Sequence, residues 1–171
     1  MPNLPPAPEL CRRLAELMRP HVTPATALVG IHTGGAWVAE WLHRELGIAQ
    51  PLGTMNVSFY RDDYSQRGLH GGRKPSAIPF DVADGHVIIV DDVLYTGRTI
   101  RAAMNELFDY GRPACIELAV LVDRGGRQLP IAPQYCGASL QVPDEQVLVL
   151  DRKETGQFTF SLSGSHRERR A

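Results

Sequence analysis

The 171-residue sequence predicts one α/β domain, a mostly parallel sheet with helices on both faces and a β-rich annex at its C-terminal end. Three observations predict it. Through residue 122, short apolar runs alternate with segments of helical spacing. The runs "HVIIV" at 86–90 and "CIELAVLV" at 115–122 read as strands buried on both sides. Polar, glycine-bearing turns at 32–35, 91–99 and 123–127 follow strands.

Each element has its own signal. After a Pro-rich leader, Leu10, Leu14, Leu17 and Met18 recur at helical spacing over 8–19, and Pro20 ends the run. "ALVGI" at 27–31 reads as a short strand, and 36–46 as a helix stopped by Gly47. Met55, Val57 and Phe59 alternate with polar residues, the pattern of a half-buried strand. Residues 61–79 have no periodicity, three Gly, two Pro and the basic residues Arg67, His70, Arg73 and Lys74. A loop of that length in a compact domain is functional or disordered. Ile100, Ala103, Met104, Leu107 and Phe108 give an amphipathic helix over 99–110, closed by Gly111 and Pro113. Short strands follow around Tyr135, at 146–150 and at 157–162, before a frayed tail from 164.

Composition excludes several classes. An apolar content of 43% and a charged content of 22% are ordinary for a soluble globular chain. No apolar run approaches a membrane span, and the N-terminus lacks a signal-peptide core. Cys11, Cys115 and Cys136 have no metal-ligand spacing, and Cys115 and Cys136 read as small core residues. A reduced, cytoplasmic setting is expected. The net charge of −1 offers no case for nucleic-acid binding, although 16 of the 18 basic residues are Arg. There is no G-x-x-x-x-G-K-[ST] and no G-x-G-x-x-G, which disfavours NTP hydrolysis and dinucleotide binding.

In an open α/β sheet, ligands bind beyond the carboxyl ends of the strands, where these turns converge. Thr96, Gly97, Arg98 and Thr99 precede a helix, so free backbone N–H groups and the positive dipole end favour a phosphate monoester. Asp91 and Asp92 would repel that phosphate. They suit sugar hydroxyls, or Mg2+ held directly or through water. A phosphate cradle beside a diol acceptor describes a ribose 5-phosphate site. His32-Thr33-Gly34-Gly35 is a second anion-compatible turn, for which pyrophosphate is the natural occupant.

"VIIVDDVLYTGRT" is similar to the phosphoribosyl-diphosphate (PRPP) signature of the type I phosphoribosyltransferases. With "FYRDD" at 59–63, "GRP" at 111–113 and "LAVLVDRGGRQLPI" at 118–131, the chain resembles the PyrR family over nearly its whole length. Those proteins are uracil phosphoribosyltransferases that double as RNA-binding attenuators of pyrimidine operons. The resemblance implies a type I phosphoribosyltransferase fold with a small β-rich hood and a long flexible loop, as one domain over 1–171. It implies the reaction uracil + PRPP → UMP + diphosphate with Mg2+. UMP would be product and effector, pyrimidine leader RNA a partner, and the assembly a homodimer or homotetramer without membrane contact.

Position by position, Asp91 and Asp92 would hold the ribose hydroxyls and Mg2+, and Thr96 to Thr99 the 5-phosphate. His32 to Gly35 would take the pyrophosphate, with Arg61 opening the mobile catalytic loop 61–79. Tyr95 stands where hypoxanthine-type relatives carry Asp, which fits uracil better than a purine. Arg124 and Cys136 would lie towards the base. Better-known members read "TRG" after a Lys or His, whereas this chain reads "HTGG" and lacks that Arg at Gly34. Two other readings stay open, an RNA-binding regulator with little catalysis and a purine phosphoribosyltransferase.

Overall fold

The computed structural model describes residues 4–57 and 75–164. In chain order its elements are helix α1 (Ala7–Met18), a 3-10 turn (Arg19–His21), strand β1 (Thr26–Ile31), helix α2 (Gly34–Glu45) and strand β2 (Gly53–Met55). Then come β3 (His86–Leu94), α3 (Arg98–Asp109), β4 (Cys115–Asp123), β5 (Tyr135–Ser139), β6 (Gln146–Arg152) and β7 (Phe158–Gly164). Five strands form a parallel sheet in the order β2-β1-β3-β4-β5, and β6 pairs antiparallel with β7 as a separate hairpin.

The alternation of side chains along each strand divides the core in two. Leu28, Ile88, Val90, Ala119 and Leu121 pack on one face beneath α1, α2 and the hairpin residues Leu148, Leu150 and Phe158. Val29, Ile31, Val87, Ile89, Leu118 and Val120 pack on the other against Ile100, Ala103 and Leu107 of α3. Burying one such Leu or Ile contributes about 2 kcal/mol, so both faces need their helices. The hairpin is the hood, tied to α2 by the Arg152–Glu40 ion pair at 3.0 Å.

Several expectations are corrected. The buried stripe of α1 runs through Ala7, Leu10, Cys11, Leu14, Ala15 and Met18, while Leu17 is 44% exposed. At 100° per residue Leu17 points past the edge of the stripe. Phe108 is likewise exposed, because Leu107 fills the seam of α3 against the sheet. The strand expected through Phe59 ends at Met55, although Met55 and Val57 are both buried. Phe59 and residues 61–74 of the expected loop lie outside the described residues. Residues 75–79 already belong to the fold, since Ala77 and Thr54 exchange both backbone hydrogen bonds at 2.8 Å. Gly164, expected in the tail, closes β7, and 165–171 are outside the described residues.

Cysteine placement also differs. Cys115 is exposed at the first position of β4, Cys136 is half-buried, and Cys11 is the core cysteine. Burial pushes the Cys11 thiol up to about 12, against the opposing pull of the Arg12 charge. Only the thiolate reacts, so a native thiol titration at pH 8 is expected to modify Cys115 quickly and Cys11 only after denaturation. Fast loss of the Cys11 thiol in the folded chain would contradict this packing. No helix of the described residues is long and apolar enough to cross a membrane.

Candidate active site

The strand order sets the place. β1 and β3 are neighbours, but the chain leaving β1 enters α2 on one face and the chain leaving β3 enters α3 on the other. The two connections diverge, which opens a crevice at their carboxyl ends.

β3 carries both acids into that crevice. It does not stop at Val90 as "HVIIV" suggested, but continues through Asp91 and Asp92 to Leu94, with Asp91 level with Val120 and Leu94 level with Asp123. The pairing with β4 holds the backbone extended, and Leu94 anchors the far end in the α3-side core. Because Val90 packs on the opposite face, the side-chain alternation changes phase across the Asp pair. Asp91 is buried, at 3% exposure, and its Oδ1 accepts the Asp92 N–H at 3.0 Å. Asp92 is half-buried.

The 32–35 turn meets these acids directly. A methyl group at Gly34 would collide with the Asp92 carboxylate. One at Gly35 would sit 2.5 Å from the Val90 carbonyl oxygen and 2.9 Å from the Asp91 Cα. The two glycines therefore let the first turn of α2 lie against the end of β3, a close approach no larger residue permits. His32 donates its backbone N–H to the Met55 carbonyl at 2.9 Å, the His32–Thr33 peptide is cis, and Thr33 is the exposed N-cap of α2.

The next turn is Tyr95-Thr96-Gly97, shorter than the expected 91–99. Gly97 has φ 92, a left-handed conformation that lets the chain reverse into α3 at Arg98. Thr96 is buried, and its Oγ1 accepts the Arg98 N–H at 3.2 Å. The hydroxyl proton of Thr96 stays available to a ligand, as do N–H groups of the helix start. Arg98 is exposed and donates Nε to Gln128 Oε1 at 3.0 Å, while Thr99 is half-buried one residue further along.

The turn after β4 forms the third wall. The Arg124 guanidinium lies 4.0 Å over the Tyr95 ring, and its Nη2 donates to the Val142 and Pro143 carbonyls at 3.3 and 3.2 Å. Its buried Nε has no acceptor among the described residues. The Tyr95 ring rests on Gly126, and its hydroxyl donates to Asp144 at 2.9 Å.

Arg127 was not singled out from sequence, yet it knits the site. It donates to the Tyr95 carbonyl at 2.6 Å, to the Ile131 carbonyl at 2.7 Å, and to Asp123 at 2.5 Å. The available signal was the i,i+4 spacing of Asp123 and Arg127 within "DRGGR". Asp144 had no comparable signal, because it comes from the loop before β6.

Asp91, Asp92, Gly34 and Gly35 thus come together, with Tyr95 to Thr99 and Arg124 on the adjoining turns. Cys136 stands apart on β5, level with Asp91 but with β4 between, and its thiol donates to the Ala138 carbonyl at 3.2 Å. Arg61 lies outside the described residues. Two carboxylates on consecutive residues at the crevice, one buried and one half-buried, form a hard oxygen donor set of the kind Mg2+ takes directly or through water. The residues fit Mg2+.

Relatives of known fold share this architecture. The hypoxanthine phosphoribosyltransferase of Trypanosoma cruzi superposes with a TM-score of 0.64 at 22% identity, covering 91% of this chain and 88% of that one. The HGPRT-ase of Leishmania tarentolae superposes at 0.62 with 16% identity, over 81% of each chain. The fold is that of the type I phosphoribosyltransferases. The phosphoribosyl transferase domain family matches residues 4–150. The bifunctional protein PyrR of Pseudomonas aeruginosa (strain LESB58) is 52% identical over 163 residues, 88% of this chain and 96% of its own. The PyrR of Nitrosococcus oceani is 56% identical over 124 residues, 71% of this chain and 70% of its own. Identity of that order over 88% of this chain and 96% of the relative, within a matching phosphoribosyl transferase domain, makes this chain a member of the PyrR family of phosphoribosyltransferases.

Proposed function

We propose that the chain is a uracil phosphoribosyltransferase, converting uracil and PRPP to UMP and diphosphate, and a regulator of pyrimidine operons through their leader RNA. The observation that carries the catalytic reading is the meeting of Asp92 with Gly34 at the β1/β3 crevice, one turn from the start of α3. Ribose hydroxyls donate to the Asp91 and Asp92 carboxylates. Thr96 and the first N–H groups of α3 hold the 5-phosphate, where the helix dipole favours an anion. The 32–35 turn faces the diphosphate.

The C1–O bond breaks with its electron pair leaving on diphosphate, while uracil N1 bonds to C1 and releases its proton to solvent. Positive charge builds on the ribose, and the two carboxylates beneath it are already in place to offset it. Mg2+, when bound, supplies charge neutralisation for the departing diphosphate. Tyr95 closes the base side in front of Arg124, whose guanidinium charge stacks on the ring from behind.

The test is UMP formation from uracil with PRPP, and competition of uracil against hypoxanthine at equal PRPP. Uracil is expected to win, and chelation of Mg2+ to abolish turnover. Preferential IMP formation would overturn the base assignment. The bifunctional naming of the relatives supports the regulatory half. A gel shift against the organism's pyrimidine leader RNA is expected to tighten with UMP, and UMP-insensitive, non-selective binding would count against a specific switch.

A further inference from the structure

We propose that His86, Cys115 and Glu117 form a binding site for a zinc-class divalent cation at the end of the sheet opposite the phosphoribosyl site. β3 and β4 start side by side, with His86 level with Cys115 and Ile88 level with Glu117. Residues two apart on a strand share a face, so all three side chains emerge on the same side. One donor atom from each lies within 4.8 Å of the other two. A tetrahedral zinc centre holds such donors about 3.5 Å apart, within reach of side-chain rotation alone.

The surroundings orient these donors. The Thr26 side chain, fully buried, bonds His86 Nδ1 at 3.1 Å, which turns Nε2 outward towards Glu117 Oε2 at 2.7 Å. Tyr135 donates its hydroxyl to the same Glu117 oxygen at 3.1 Å. Partners behind the ligating imidazole and carboxylate are the arrangement that fixes tautomer and direction in metal sites.

The donor types select the ion. A thiolate with an imidazole and a carboxylate suits zinc, and hard Mg2+ or Ca2+ has no use for the sulfur. His86 and Glu117 keep side-chain exposures of 24% and 23% and Cys115 is exposed, so the ion has an entry path and a fourth position for water. The site is distinct from the Asp91/Asp92 pair, which lies five and six residues along β3 from His86, about 16–20 Å away.

The full chain, stripped with a chelator, would be titrated with Zn2+ alone and with Co2+ alone in the presence of excess Mg2+. The expected result is one equivalent of tight binding and a thiolate-to-cobalt charge-transfer band. Cys115→Ser is expected to abolish the band, and His86→Gln and Glu117→Gln each to weaken binding at least about tenfold. Asp92→Asn should leave it intact, and Cys115→Ser should leave UMP formation unchanged. Absence of stoichiometric binding, a cobalt spectrum without the sulfur band, or binding lost in Asp92→Asn but kept in Cys115→Ser would each overturn the proposal.

Discussion

Asp92→Asn is expected to lower kcat for UMP formation by about 10²–10³-fold, a loss of roughly 3–4 kcal/mol of transition-state stabilisation. The amide keeps the size of the side chain, so its place beside Gly34 and the fold should survive. On the proposed mechanism it removes the negative charge beside the developing oxocarbenium and one strong acceptor for a ribose hydroxyl. Asp92 is half-buried where Asp91 is buried and already accepts a backbone N–H, so Asp92 is the more available of the two to substrate. Steady-state kinetics with thermal melts of both proteins is the measurement. A folded variant with full turnover would remove Asp92 from the proposed role.

Gly35→Ala should be the second most damaging change, and the contrast with Gly34→Ala is the informative part. Both glycines lie in the first turn of α2, where Ala on propensity alone would favour the helix by up to about 1 kcal/mol. At Gly35 the new methyl meets the Val90 carbonyl at 2.5 Å, a group locked in the sheet, so α2 must move off β3. Overpacking of that kind costs about 1–3 kcal/mol and would open the crevice. At Gly34 the methyl meets the Asp92 carboxylate, a side chain that can rotate away. Gly34→Ala is therefore expected to melt near the parent temperature while losing turnover, and Gly35→Ala to lose both. Equal melting temperatures for the two variants would show that α2 does not pack on β3 as described.

The role of "HTGG" is where sequence and structure part most clearly. As a motif it reads as glycines exposing amides to an anion, without the Arg that the family resemblance leads one to expect at Gly34. In the fold, Gly34 and Gly35 are first of all contact surfaces for the two acids, residues more than 50 positions away in the chain. No local pattern encodes that contact. The same holds for Tyr95, which looked like turn filler with a bearing on base choice. Its surroundings, Arg124 above the ring, Gly126 against it and Asp144 at its hydroxyl, come from two separate loops. The Asp pair itself was legible, because it ends an apolar run just before a helix start, where capping would need only one such residue. That they sit inside the strand was not, since strand length depended on the β4 partner.

By itself the sequence determined the alternation of strands and helices and the two-sided burial of β1, β3 and β4, and it marked out the acids and the turn proposed for the phosphate. Periodicity and turn chemistry are local, and they are written residue by residue. Only the tertiary structure decided strand order, and with it the divergence of α2 and α3 that opens the crevice between β1 and β3. It also decided that His86, Cys115 and Glu117 share a face at the far end of the sheet, and that Cys11 rather than Cys115 is core. Each of these depends on which strand lies beside which and in what register, a choice made by burying both faces of one sheet at once.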